Sequence, residues 1–120
     1  MITREMIEDL FERTRRLRAE GKVKWNIDDA CRWSFFFIDG SREKLIAAGQ
    51  ELEGIGYEFV GLLEPSPDDD DQETIFLRVD RVEKHTVHSL LARNDDLYAF
   101  ADRIGLQGYD GMDSGAVDGP

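Results

Sequence analysis

The sequence has few cysteines, few prolines and no long apolar runs. Its single cysteine, Cys31, excludes an internal disulfide and favours a reducing compartment. The longest apolar run, at residues 35–38, is far too short to span a membrane, and residues 1–20 lack the apolar segment of a signal peptide. We therefore expect a protein of the cytoplasm without a membrane-spanning segment.

Sequence patterns typical of catalysis and of metal binding are also missing. There is no glycine-rich phosphate loop, no serine elbow and no HExxH motif. His85 and His88 are three residues apart, but Thr86 is the expected helix cap, which leaves His85 outside the helix and disfavours a metal site. Cys31 has no CxxC partner, which favours a buried structural thiol. We predict a protein that is not an enzyme and that has no metal or other cofactor.

Negative charge dominates the chain, with 15 basic and 26 acidic residues and a net charge of −11. Residues 1–24 carry seven basic and five acidic residues, whereas residues 25–120 carry eight and 21, a net charge of −13. A potential of this sign repels phosphate backbones and attracts basic protein surfaces. We expect a protein partner with a basic surface and no direct nucleic-acid binding, while the oligomeric state stays open.

Hydrophobic periodicity and turn residues predict three helices and four strands. Thr3, Ser41 and Thr86 are the candidate N-caps of the helices. The predicted helices span residues 3–20, 42–55 and 87–104, and the predicted strands span residues 31–38, 57–63, 74–83 and 106–109. The glycine-rich residues 111–120 are predicted to form an irregular tail.

This order of elements is one helix followed by βαββαβ. It predicts an α+β fold, a ferredoxin-like sandwich with an antiparallel sheet and an extra N-terminal helix. We expect one domain over residues 1–120, with its ferredoxin-like core at about residues 31–110. The N-terminal helix is expected on the open face of the sheet or at an edge.

The first predicted strand is rich in aromatic residues. Trp33, Phe35 and Phe37 alternate with Phe36 and other residues, so both faces carry apolar groups, which predicts a central strand covered on both sides. Aromatic rings on such a sheet could also stack RNA bases. Because the chain is acidic and only Arg32 is basic next to these rings, we favour core packing.

Three segments resemble the RraB family of ribonuclease E inhibitors. The first is "ELEGIGYEF" at residues 51–59, the end of a helix and the start of a strand. The second is "RVDRVEKHTVHSLLARNDDLYAFADRIG" at residues 78–105, a strand that leads into a helix. The third and most specific is "YDGMD" at residues 109–113. The resemblance covers roughly residues 34–115.

The resemblance implies a ferredoxin-like domain that binds ribonuclease E and damps its cleavage of RNA. The best-known members continue the third motif as "YDGW-G-T" and then carry a long acidic tail. In this sequence Met112 and Asp113 replace that continuation of the motif. The run of acidic residues lies at residues 68–71 instead of in a tail. The fold therefore transfers more safely than the identity of the partner.

Two segments are candidate partner-binding sites. The first is the acidic run of Asp68, Asp69, Asp70 and Asp71, in a loop at residues 64–73. We interpret it either as an arm that meets basic segments of a partner or as a solvated hairpin tip. The run lacks the spacing of a calcium loop.

The second candidate is formed by Tyr109, Asp110, Gly111, Met112 and Asp113. Asp-Gly favours a turn, in which the tyrosine ring would cover an edge of the core. The alternative is an exposed rim that contacts the partner. The sequence leaves both interpretations open.

The leading functional hypothesis is a non-catalytic, acidic regulator of RNA degradation that acts by protein–protein contact. An immunity or antitoxin-like protein that neutralises a basic toxin is the first alternative, because a small acidic domain suits that role equally well. A small enzyme with an unrecognised site is the second, and a deep pocket with convergent polar groups would favour it.

Overall fold

The computed structural model describes residues 1–65 and 74–118. Its three helices and four strands follow the predicted order. The elements are α1 (Arg4–Ala19), β1 (Cys31–Asp39), α2 (Arg42–Glu53), β2 (Glu58–Leu63), β3 (Ile75–Glu83), α3 (Val87–Ile104) and β4 (Gly108–Gly115). The predicted α+β fold is confirmed, and the order fits a ferredoxin-like arrangement preceded by a helix.

The predicted N-caps are confirmed for all three helices. The side chains of Thr3, Ser41 and Thr86 accept hydrogen bonds from backbone N–H groups of the first helical turn. Thr86 and Ser89 form a reciprocal capping box at the start of α3. At the other end of α3, Gly105 has φ 75°, a left-handed conformation that glycine adopts without strain.

The sheet is antiparallel, with strand order β2-β3-β1-β4. As predicted, β1 is a central strand, paired with β3 on one side and β4 on the other. Trp33, Phe35 and Phe37 are completely buried on one face. The prediction of core packing is therefore confirmed for these three rings, whereas Phe36 is half-buried on the opposite face.

All three helices pack on that same face. The ring of Phe11 in α1 stacks on Trp33, and Phe100 in α3 meets Phe37 edge to face. Gly49 in α2 lies against Phe59, whose register with Val79 places it on this face too. The first expectation for α1, the open face of the sheet, is thus wrong, because its buried stripe extends the helix layer beside α3.

The opposite face of β1 carries no helix in the described part of the chain. Arg32, Phe36 and Ile38 on that face are half-buried, whereas Ser34, on the same face, is buried. The prediction that β1 is covered on both sides is therefore wrong. Apolar side chains do occur on this second face. Neighbouring side chains of the sheet shield them in part, and no helix covers them in the described part of the chain. We call this side the open face.

The last strand is longer than predicted. β4 runs through Gly115, so residues 111–115 of the expected irregular tail belong to the sheet. Glycine has a low strand propensity, but pairing with the central strand β1 overrides it, since Arg32 lies opposite Gly115 and Ser34 opposite Asp113. In the described ranges, no helix has the length and apolar character needed to cross a membrane.

Candidate protein-binding surface

The candidate segment at residues 109–113 lies on β4, an edge strand. A β-bulge interrupts its pairing with β1, because Phe37 lies opposite Tyr109 and Phe36 opposite Gly111. Asp110 is the extra residue of the bulge, and Gly111 has φ 145°. The Asp-Gly pair thus bends a strand and does not form the expected turn.

Tyr109 is part of the core. Its side chain is 6% exposed, and its hydroxyl donates a 2.6 Å hydrogen bond to Oδ1 of the fully buried Asn94. Nδ2 of Asn94 in turn donates to the carbonyl of Leu90. Burial raises the pKa of Tyr109 far above its ordinary value, so the phenol stays protonated. The ring covers a core edge, as one of the two interpretations expected.

The other residues of this segment divide between the two faces of the sheet. Met112 lies opposite Phe35 and packs half-buried against the core. Asp113 lies opposite Ser34 on the open face and is exposed, as is Asp110 in the bulge. Of the five candidate residues, these two aspartates therefore carry an exposed charge.

The other candidate, the run of Asp68, Asp69, Asp70 and Asp71, lies outside the described residues. The described part of the chain stops at Pro65, before this run, and begins again at Thr74, after it. Its role as a partner-binding site stays a prediction from the sequence.

A charge cluster occupies the middle of the open face. Asp80 on β3 has a side chain that is only 2% exposed. It accepts hydrogen bonds from Nε and Nη2 of Arg78, each at 3.0 Å, and from Nη1 of Arg32 at 3.3 Å. Burial raises the pKa of Asp80, but hydrogen bonds from Arg78, Ser34 and Arg32 outweigh it, so the net pKa lies below the ordinary value.

Beside this cluster is a cavity that the sequence analysis missed. Its volume is about 290 Å³. Its walls include Trp25, Arg32, Ser34, Phe36, Arg78 and Asp113. The alternation of Arg32, Ser34 and Phe36 along β1 is a sequence signal for one face, but nothing in the sequence places Trp25, from the preceding loop, at the same point. Nε1 of Trp25 donates to Oγ of Ser114 on β4.

A second charge cluster surrounds Glu83 at the end of β3. Its carboxylate contacts Nε2 of His85 at 2.5 Å, Nη2 of Arg93 at 2.5 Å and Nε of Arg81 at 3.0 Å. Burial raises the pKa of Glu83, but the hydrogen bonds and charges of His85 and Arg93 outweigh it, so the net pKa lies below the ordinary value. Within this cluster, His85 contacts the Trp33 ring and the capping residue Ser89, so the cluster has a structural role.

The described residues contain no group of three or more His, Cys, Asp or Glu side chains arranged to hold a metal ion. His85 is buried beside Glu83, whereas His88 is exposed. Cys31 is buried, its thiol donates to the carbonyl of Asn26, and burial raises its pKa. This confirms the prediction that Cys31 is a buried thiol.

The chain matches the model of a known protein family. No curated protein matches the chain. The model of the family described as RraB, regulator of ribonuclease activity B, matches residues 3–114. That range includes every described helix and nearly all of β4. The chain therefore belongs to the RraB family, whose description is regulation of ribonuclease activity.

Proposed function

We propose that this chain inhibits ribonuclease E by direct contact between its acidic surface and a basic surface of the enzyme. Family membership over residues 3–114 carries this proposal, because it supplies the regulation of a ribonuclease. The net charge of −11 supplies the physical basis for a basic partner. The proposal includes a cytoplasmic location, the absence of catalysis and the absence of direct RNA binding.

The proposed contact comprises two regions of the chain. Asp110 and Asp113 are exposed along the β4 edge, whereas Tyr109 acts by holding that strand on the core. The acidic run at residues 68–71 is the second region and is proposed from the sequence alone. Charge in both regions would speed encounter, and apolar anchors beside them would set the lifetime of the complex.

An activity assay with purified ribonuclease E tests the proposal. We expect an excess of this protein to slow cleavage of a fluorogenic RNA. The protein by itself should leave the RNA intact and should not bind it. An unchanged cleavage rate at saturating protein, or binding of the protein to the RNA instead of the enzyme, would contradict the proposal.

Association kinetics test the electrostatic part. Replacement of Asp68, Asp69, Asp70 and Asp71 by Asn should lower the association rate constant several-fold at low salt and leave the dissociation rate nearly unchanged. A matched control removes four exposed carboxylates from the helix layer, at Asp9, Glu43, Glu53 and Asp95. The control should have the smaller effect. An association rate that does not depend on salt would rule out charge steering.

The two alternative functions receive no specific support. The toxin-neutralising role stays a prediction, since no described feature distinguishes a toxin from a ribonuclease. Asp113 is the carboxylate that lines the cavity on the open face, and Asp80 next to the cavity is held in ion pairs with Arg32 and Arg78. This arrangement favours binding over acid–base chemistry.

A further inference from the structure

The cavity on the open face lies where β1, β4 and the loop before β1 meet. Trp25 and Phe36, both half-buried, supply its aromatic walls. Its volume of about 290 Å³ is near the lower limit, about 300 Å³, of pockets that hold drug-sized ligands. A single protruding side chain suits this size better than a larger molecule.

The two arginines of the cavity are already occupied. Nη1 of Arg32 donates to Asp80 and to Glu58, and its Nε donates to the carbonyl of Val117. Arg78 donates through two nitrogens to Asp80. An anion that recruited these guanidinium groups would weaken the ion pairs of a buried carboxylate, which is costly. The arginines therefore do not make this an anion site.

Asp113 is the carboxylate of the cavity that has no ion-pair partner among the described residues. Its Oδ1 accepts a 2.8 Å hydrogen bond from the backbone N–H of Ser114, and the side chain is exposed. Arg78 interacts with the charge of Asp113 at a distance, but the two side chains do not form an ion pair. The charged group of the cavity that is free to pair with a ligand is thus the carboxylate of Asp113, which lines the cavity together with the rings of Trp25 and Phe36.

We propose that this cavity binds an arginine side chain of the protein partner. A guanidinium group can stack on aromatic rings and donate paired hydrogen bonds to a carboxylate, and Trp25, Phe36 and Asp113 supply these groups. The choice of a protein as the source of the arginine rests on the proposed function and on the charge of −11. The cavity would then be the anchor beside the acidic residues that steer encounter.

A peptide titration of the full ¹⁵N-labelled chain tests this site. The probe is acetyl-Gly-Gly-Arg-Gly-Gly amide, and its matched control carries citrulline, a neutral isostere, in place of arginine. Trp25 and Trp33 provide two indole N–H signals, one in the cavity and one from a ring with no exposed surface. The arginine peptide should shift the Trp25 signal and leave the Trp33 signal in place, and the citrulline peptide should bind at least about fivefold more weakly.

A pair of variants separates the cavity from the overall charge. Asp113→Asn should weaken binding of the arginine peptide about fivefold, as expected for one partly exposed ion pair. Asp95→Asn makes the same change in net charge on the exposed side of α3, across the sheet from the cavity, and should change affinity less than about twofold. Equal effects of the two variants, equal affinity for the citrulline peptide or an unmoved Trp25 signal would each overturn the proposal.

The result is separable from the ribonuclease assay. Inhibition of ribonuclease E without a response of Trp25 to the arginine peptide would overturn the arginine site and leave the proposed function standing. A response of Trp25 with no effect on the ribonuclease would overturn the proposed function and support the arginine site.

Discussion

Two acidic residues on β3, Asp80 and Glu83, are almost fully withdrawn from water. Their side chains are 2% and 10% exposed, and each is held by two arginines. A buried carboxylate with its charged partners intact contributes little net stability, but removing one member leaves the others unpaired at a cost of about 3 kcal/mol. These residues therefore matter to folding more than the many carboxylates on the surface.

The pKa values of both carboxylates are lowered on folding, from ordinary values of 3.8 and 4.5. Their contribution to the free energy of unfolding is therefore complete above those values and is lost as the pH falls through the lower folded-state values. Asp80→Asn should lower the free energy of unfolding at pH 7 by about 3 kcal/mol in urea unfolding.

The difference between wild type and Asp80→Asn should shrink as the pH falls below 3.8. Glu58→Gln, at a mostly exposed partner of Arg32, is the control and should cost less than about 1 kcal/mol. A difference that stays constant down to pH 2 would show that the charge of Asp80 is not what stabilises the fold.

At the scale of elements, the packing of α2 on β2 depends on a glycine. A Cβ atom on Gly49 would lie 2.2 Å from Cδ2 and Cε2 of Phe59. The helix approaches the strand this closely because residue 49 has no side chain. Glycine within a helix costs about 1 kcal/mol relative to alanine, and close packing of the Phe59 ring offsets that cost.

Gly49→Ala should consequently destabilise the protein by about 1 kcal/mol, because overpacking costs about 1–3 kcal/mol and the gain in helix propensity is about 1 kcal/mol. Ala47→Gly, at an exposed position of the same helix, measures the propensity contribution by itself. In a Phe59→Leu background, Gly49→Ala should become neutral or stabilising. Thermal unfolding of the four variants checks this, and a higher Tm for Gly49→Ala alone would contradict it.

At the scale of the whole molecule, the excess of acidic residues acts in two opposite ways. It attracts basic partners, and it also makes the folded chain repel itself. The exposed ion pairs, such as that of Arg15 with Asp28, contribute about 0–1 kcal/mol each, so their loss on screening is the smaller effect. Salt should therefore stabilise the free protein while it weakens its complexes.

We expect Tm to rise by a few degrees when NaCl is increased from about 0.02 M to about 0.5 M, because the Debye length falls from over 20 Å to under 5 Å. The variant with Asn at residues 68–71 should show a smaller rise, since it carries four fewer negative charges. Scanning calorimetry in sodium chloride checks both. A Tm that falls with salt would mean that surface ion pairs outweigh the net repulsion.

The elements and their caps could be predicted from local sequence. Thr3, Ser41 and Thr86 precede amphipathic segments, and Gly105 follows the last one, so helix starts and ends were marked by single residues. The extent of β4 could not be predicted in this way. Its glycines and aspartates resemble a tail, and they form a strand because the backbone of β1 is available as a partner.

The sequence predicted the charge of the candidate site but left open whether Tyr109 is buried or exposed. The exposed positions of Asp110 and Asp113 follow from their polarity, but the burial of Tyr109 depends on Asn94, which is 15 residues distant in the chain. The cavity depends on Trp25 reaching Ser114 across 89 residues. Contacts of this range have no local sequence signal.

By itself, the sequence determined the order of elements, the excess of negative charge and the family, because periodicity, ionisable groups and short motifs are local properties of the chain. Only the tertiary structure decided that all three helices share one face, that the motif tyrosine is a core residue and that an aromatic, carboxylate-bearing cavity lies on the open face. The reason is that burial and the convergence of distant side chains depend on how the sheet and the helix layer pack together.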